Sequence, residues 1–359
     1  MRVLYFSPDG ILDELGQSQI LPYIYGLNKM GYKFIIFSFE RFDRKYEELL
    51  SQSRIFKSKD IIWYYLPLYP KKYHRLLRFI FGAIKLNHIF RKHKINLIHI
   101  RSINAGAIFL LSGIKCRILY DIRAFAGQLG DYGLLKNKFL LKLFIFLEKI
   151  LIKKSNGIVV LDESGLDYLN INFKLNIPVQ VIPTSTNIRK FNLPRAPKTK
   201  NKKEIKFVMI GGAQFPYLLK KALQFVKVLL TNNVNCTLDI INQRQHKFIK
   251  KVIEEVNFPK DKINVFGIKP SEKFNLLPHY DCGLVFIQKG NWIKMSSPTK
   301  IGEYLAAGLH IVGLEGINVL ERLEKNTSCV DNLSQNFENL NKEKITKILE
   351  KISDLGRRE

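Results

Sequence analysis

The sequence predicts an α/β protein made of two doubly wound parallel sheets facing a cleft, and three observations carry that expectation. Short runs rich in β-branched and aromatic residues alternate with longer helical patterns along most of the chain, which is the signature of parallel sheets covered on both faces. The rhythm breaks at 192–203, Asn-Leu-Pro-Arg-Ala-Pro-Lys-Thr-Lys-Asn-Lys-Lys, where two prolines and many cations with almost no apolar residue read as an exposed linker. It then restarts, and 359 residues are enough for two domains.

In chain order, the first half offers strands at Val3–Ser7, Phe34–Phe39, Ile61–Leu66, Leu97–Ile100, Arg117–Asp121, Gly157–Leu161 and Val179–Ile182. Between them, Gln17–Lys29, Tyr73–Arg91, Leu134–Lys154 and Glu163–Leu169 have the length and periodicity of helices. The second half offers strands at Ile205–Ile210, Thr237–Ile241, Asn264–Phe266, Gly283–Phe286 and Leu309–Val312, with helices from about Tyr217, His246, Ser271 and Pro298. Gln335–Leu355 reads as a terminal helix free to pack on either domain. The expected division is a domain at 1–191, a linker at 192–204, a second domain at 205–334 and the terminal helix at 335–359. Ligands of such sheets bind outside the carboxyl ends of the strands.

A composition of 46% hydrophobic and 25% charged residues excludes a disordered chain. Cys116, Cys236, Cys282 and Cys329 lie far apart without metal-ligand spacing, so neither a zinc site nor a disulfide framework is expected. The first residues run straight into a strand with no signal-peptide pattern, and a cytoplasmic protein is expected. A net charge of +27 attracts polyanions, namely nucleotide phosphates, anionic lipid or nucleic acid. No zinc finger, aromatic RNA-recognition signature or contiguous basic helix is found, which argues against nucleic acid.

The most informative stretch runs from Ser296 to Gly308, Ser-Ser-Pro-Thr-Lys-Ile-Gly-Glu-Tyr-Leu-Ala-Ala-Gly. Pro298 suits the first turn of a helix whose free N–H groups favour anions. Lys300 and Glu303 are three apart and share a face. A lysine there can meet a diphosphate while the carboxylate accepts from ribose hydroxyls. An ordinary capped helix with solvated charges is the competing reading.

These residues, with the opening Asp9-Gly10-Ile11-Leu12-Asp13-Glu14-Leu15-Gly16-Gln17-Ser18-Gln19-Ile20-Leu21-Pro22, resemble the retaining glycosyltransferases of family 4. Shorter echoes at strand ends, Ile98 to Ser102, Tyr120 to Arg123, Val181 to Pro183 and Phe266-Gly267, extend the likeness over nearly the whole chain. The resemblance implies a GT-B fold of two Rossmann-like domains, a nucleotide-sugar donor on the second, an acceptor on the first and no essential metal or other cofactor. Glu303 looks like the second glutamate of the family's E-x7-E pattern, the one associated with the ribose. The first is Met295 here, so sugar contacts must come from Ser296, Ser297 or the loop Lys289 to Lys294. The family's Arg and Lys pair after the first strand of the second domain is also missing. Gly211-Gly212 is followed by Lys220 and Lys221 inside an expected helix.

The expected donor-binding set is Gly16, Gly212, Gly267, Ser297, Thr299, Lys300 and Glu303, with phosphate also reached by the N–H groups of Gly16 to Ser18. Gly16 has an equal alternative as a plain turn before a helix. Asp121, Arg123 and Lys300 are the catalytic candidates, and Arg101 with Asp121 forms the acceptor side. Asp121 can orient the acceptor or take its proton, and Arg123 can bind an acidic group. An Asp121–Arg123 structural ion pair is equally compatible. His99, in mid-strand, is expected to be a hydrogen-bonded core residue.

Lys71 to Lys85 and Leu134 to Lys154 combine apolar stripes with cations, as membrane-surface helices do, although covering helices of the first sheet would look the same. Cations interrupt every window long enough to span a bilayer. The sequence thus predicts a glycosyltransferase acting on a cell-surface glycan or lipid-linked saccharide, with a peripheral place at the inner membrane face left open. A nucleotide-sugar 2-epimerase and a non-catalytic glycan- or polyanion-binding protein are the rivals.

Overall fold

The computed structural model describes residues 1–13, 15–40, 59–67, 74–131, 133, 135–191, 204–269, 271–290, 292–334, 337, 340 and 342–354. The chain divides into two compact units, Met1–Pro183 and Thr184–Glu359. Residues 192–203 of the expected linker lie outside the described residues.

Unit 1 contains β1 (Arg2–Ser7), α1 (Leu21–Lys29), β2 (Lys33–Glu40), β3 (Ile61–Pro67), α2 (His74–Lys92), β4 (Leu97–Arg101), α3 (Ser102–Ser112), β5 (Ile118–Asp121), α4 (Gln128–Asp131), α5 (Lys138–Lys154), β6 (Gly157–Val160), α6 (Glu163–Asn172) and β7 (Val179–Val181). Its seven strands are all parallel, in the order β3-β2-β1-β4-β5-β6-β7. The order reverses between β1 and β4, and the loops at that switch point are where ligands meet a doubly wound sheet. Strands buried on both faces read as continuous apolar runs. Phe6 and Phe37 accordingly stack across β1 and β2 with ring centroids 4.8 Å apart.

Unit 2 repeats the plan with β8 (Ile205–Ile210), α7 (Leu219–Thr231), β9 (Cys236–Ile241), α8 (His246–Val256), β10 (Ile263–Phe266), α9 (Lys273–Leu276), β11 (Cys282–Val285), α10 (Thr299–Ala306), β12 (His310–Leu314), α11 (Asn318–Asn326), β13 (Val330–Leu333) and α12 (Lys342–Asp354). Six parallel strands run in the order β10-β9-β8-β11-β12-β13, with the switch between β8 and β11. Thr184 binds Ser297 and the Phe191 ring lies edge-on to Phe274, so residues 184–191 pack with this unit.

Several boundaries differ from expectation for local reasons. The helix expected from Leu134 begins at Lys138, because Asn137 caps it by accepting from the N–H groups of Phe139 and Leu140 at 2.9 and 3.1 Å. Pro298 is the extended N-cap of α10 and not its first helical residue (φ −63°, ψ 125°). Gly308 ends that helix at φ +73° as expected. The terminal helix joins unit 2, where Ile345, Ile348 and Ile352 enter the core with Phe207 and Phe225.

Candidate active site

In unit 1, the loop after β1 and the ends of β4 and β5 assemble a buried charge cluster. Arg101 and Asp121 are the last residues of their strands and face each other in register. Asp121 Oδ2 lies 3.6 Å from Arg101 Nη1 and 3.3 Å from His99 Nε2, and Oδ1 lies 3.5 Å from Arg123 Nη1. Asp9 Oδ2 approaches Arg101 Nε at 3.7 Å. The Tyr5 ring packs on His99 at 4.5 Å. His99 is therefore the hydrogen-bonded core residue its mid-strand position suggested.

Burial by itself raises the pKa of the Asp121 carboxyl, but the His99 hydrogen bond and the charges of Arg123 and Arg101 outweigh it and hold the group below the ordinary carboxylate range. An aspartate kept ionised between two guanidinium groups is a poor proton acceptor near neutrality. The Asp121 carboxylate is ion-paired with both arginines and orients them. Arg123 and the half-exposed Asp9 form the open edge of the cluster.

Backbone strain sits beside it. Ser102, the first residue of α3, adopts φ +71°, a left-handed conformation costly for a residue with a Cβ. A further carboxylate, Glu40, ends β2 with a single oxygen taking the Ile11 N–H at 2.7 Å and the Ser38 hydroxyl. Its Oε2 lies against Gly10 with no hydrogen-bond partner among the described residues, and burial raises its pKa.

Gly16 opens a π-helical turn, Gly16–Ile20, that leads into α1. A Cβ there would lie 2.2 Å from the Ile11 carbonyl oxygen, so the glycine is required for close passage of two backbone segments. The Gln17 N–H already donates to the Asp13 carbonyl at 2.9 Å, which removes one of the three N–H groups expected at a phosphate.

In unit 2, α10 places Lys300, Glu303 and Tyr304 on its buried face. Tyr304 locks the helix to the sheet. Its hydroxyl accepts the Ile210 N–H at 2.9 Å, and its ring occupies the space where a Gly283 Cβ would sit, 2.2 Å away. Lys300 is 5% exposed, and its Nζ has no hydrogen-bond partner among the described residues. The ammonium lies over the Tyr217 ring at 3.8 Å and near Gly211, which follows β8 at φ +95°. Burial pushes the Lys300 pKa down to about 7, against the opposing pull of Glu303. Tyr217 is held there by an antiparallel bridge to Ile287 and by the Leu218 N–H donating to the Phe286 carbonyl at 2.9 Å.

Glu303 is ion-paired with Lys273 of α9, a residue the sequence did not single out. Lys220 and Lys221 lie inside α7 as expected. Gly212 packs on the Tyr217 ring, and Gly267 faces Asn242 and Gln243. The Asn242 side chain donates to the Gly211 carbonyl at 2.7 Å, which links Gly267 to the surroundings of Lys300. Thr299 is half-buried at the first turn of α10, beyond the Pro298 cap. Ser297 hydrogen-bonds Thr184, with 2.9 Å between the two hydroxyls. Met295 is buried in a single 3-10 turn, Ile293–Met295.

No family model and no curated protein matches this sequence. Solved structures do match the fold. The chain is similar to sucrose-phosphate synthase from Thermosynechococcus elongatus at 13% identity, over 99% of this chain and 93% of that one, with a TM-score of 0.67. It is also similar to Anabaena HepE in complex with UDP and glucose (12% identity, 99% and 92% covered, TM-score 0.62). A third likeness is to a UDP-N-acetylglucosamine 2-epimerase (10% identity, 99% and 93% covered, TM-score 0.57). Together with the two parallel-sheet units, these likenesses establish the GT-B fold.

Proposed function

We propose that this chain transfers a sugar from a nucleotide-sugar donor to a cell-surface glycan or lipid-linked saccharide on the cytoplasmic side, with retention and without a metal ion. Unit 2 takes the donor and unit 1 the acceptor. The observation that carries the reading is Lys300, a buried amine with no hydrogen-bond partner among the described residues, beside Gly211 at the unit 2 switch point. Such a group costs free energy until an anion satisfies it. A diphosphate oxygen would do so, aided by the N–H groups of Thr299 and Lys300 at the start of α10. Glu303 is assigned to the ribose hydroxyls and Gly212 and Gly267 to close passage of the nucleotide.

As the bond from the anomeric carbon to the diphosphate breaks, negative charge builds on the leaving oxygen, and a charged Lys300 is placed to stabilise it. Arg101 and Arg123, oriented by Asp121, are assigned to the acceptor. The bound UDP and glucose of HepE make UDP-sugars the donors to test first.

The test is a thermal-shift titration with UDP-, GDP-, CMP- and dTDP-sugars. A midpoint rise with one of them, lost in Lys300→Ala, supports the reading through binding to the folded state, and no rise with any overturns it. The likeness to a 2-epimerase supports a second reading. Free epimerised sugar released from the donor with no acceptor present would select it.

A further inference from the structure

Two helices of unit 1 carry large apolar side chains outward as well as inward. In α2, Ala83, Leu86 and Ile89 are buried, whereas Leu77, Ile80, Phe81 and Ile84 are 41% to 61% exposed. At 100° per residue these outward residues form one stripe on the side opposite the buried face. In α5, Leu151 and Ile152 are buried, and Phe139, Leu140, Leu143 and Phe146 are 40% to 75% exposed, again on the opposite side. The two helices flank α3, which touches both, and meet through an edge-on contact of Phe79 with Phe144. Exposed apolar stripes of this kind, on two helices that flank the same neighbour, mark an interaction surface.

Charge identifies the partner. Lys138, Lys142, Lys149 and Lys153 form a row along one flank of the α5 stripe. Neither helix exposes a carboxylate, because α2 contains none and the one acidic residue of α5, Glu148, is buried. A second copy of the same face would bring like charges together. An anionic lipid surface complements both features, and amphipathic helices with aromatic and aliphatic residues on one side and lysines beside them are built for it. Among the described residues no helix is long and apolar enough to cross a membrane.

Topology places this face. In a parallel sheet each helix begins at the C-terminal edge of the strand before it, and the exposed apolar residues reach no further than Ile84 in α2 and Phe146 in α5, at about the middle of each helix. That edge also carries Asp9, Arg101, Asp121 and Arg123. Moreover, Glu148 of α5 accepts the Ala126 N–H at 2.8 Å, which ties the helix to the loop that bears Arg123.

We propose that the outward faces of α2 and α5 form a docking face for an anionic bilayer, with the apolar side chains entering the headgroup–acyl boundary and the α5 lysines meeting lipid phosphates. This property is independent of sugar transfer. The test is co-sedimentation of the full chain with vesicles of phosphatidylcholine alone or mixed with phosphatidylglycerol. The mixed vesicles carry the chain down. The variant Ile80→Ser/Phe81→Ser/Ile84→Ser/Phe146→Ser, of unchanged net charge, binds at least about tenfold less, and Lys142→Glu/Lys149→Glu, which spares all apolar positions, loses binding as well. Far-UV circular dichroism checks that both variants are folded. Three results each overturn the proposal: no binding of the wild type to mixed vesicles, undiminished binding of the serine variant, or a self-associating wild type that the serine variant makes monomeric with no vesicle binding in either.

Discussion

Glu303 pairs with Lys273, thirty positions away in sequence, and not with Lys300, three positions away on its own helix. Both partners are largely buried. The carboxylate is thereby neutralised from a different element, and Lys300 is left to face Tyr217 and Gly211.

Removing one member of such a pair strands the other charge in a poorly solvated site. Lys273→Met is expected to lower stability by about 3 kcal/mol, and Lys273→Met/Glu303→Gln by clearly less than the sum of the two single changes. Urea unfolding of the four proteins decides the matter. A loss of under about 0.5 kcal/mol in Lys273→Met would mean that the pair behaves as a solvent-exposed one.

The lowered Lys300 pKa has a definite sign in solution. The unfolded chain keeps the proton up to the ordinary value of 10.5, whereas the folded chain releases it near 7. Stability therefore rises with pH between those values through this group, and a Lys300→Met variant lacks that rise. A UDP-sugar, which has no phosphate proton titrating near neutrality, must recharge the amine on binding. Its affinity is expected to fall by up to about tenfold per pH unit above 7, with proton uptake visible in calorimetry run in buffers of different ionisation enthalpy. A flat affinity from pH 7 to 9 contradicts this.

Glu148 gives the opposite slope. Burial lifts its carboxyl to about 7, although it accepts from the Tyr120 hydroxyl at 2.9 Å and the Ala126 N–H at 2.8 Å. Its folded pKa exceeds the ordinary 4.5, so its contribution is full below 4.5 and is lost as pH rises through 7. The stability difference between wild type and Glu148→Gln should shrink or reverse over that interval. A difference independent of pH refutes the assignment.

Two glycines near the first helix separate close passage from flexibility. Gly16→Ala drives a methyl group into the Ile11 and Gly10 carbonyls and is expected to cost about 3 kcal/mol or to prevent folding. Gly26→Ala, in α1 with nothing within 4 Å, is expected to add about 0.5–1 kcal/mol. Thermal midpoints that move in the same direction for both would contradict the contrast.

The sheet rhythm could be read because strands of a covered parallel sheet are short continuous apolar runs, and Lys300, Arg101, Asp121 and Arg123 were found because each charge stands at or just beyond an apolar element. The same signal at Glu40, an acid closing the run Phe34 to Phe39, would have marked that residue too. Helix α3 escaped notice since Ile103 and Ala105 to Phe109 are buried around its circumference, which erases amphipathic periodicity. Strand β13, Val330–Leu333, has two polar residues at its centre and no apolar run to betray it. Lys273 lies on a four-residue helix in an otherwise ordinary polar stretch, and only the folded chain brings it to Glu303.

The terminal helix of unit 2 also sets an order of events during synthesis. All of unit 1 is encoded in residues 1–183, so that part can close its core while the ribosome is still making the rest. Unit 2 cannot close its core until Ile345, Ile348 and Ile352 have also been made, because they belong to it. The half that carries Lys300 and Glu303 is thus completed later in synthesis than the half that carries Arg101 and Asp121.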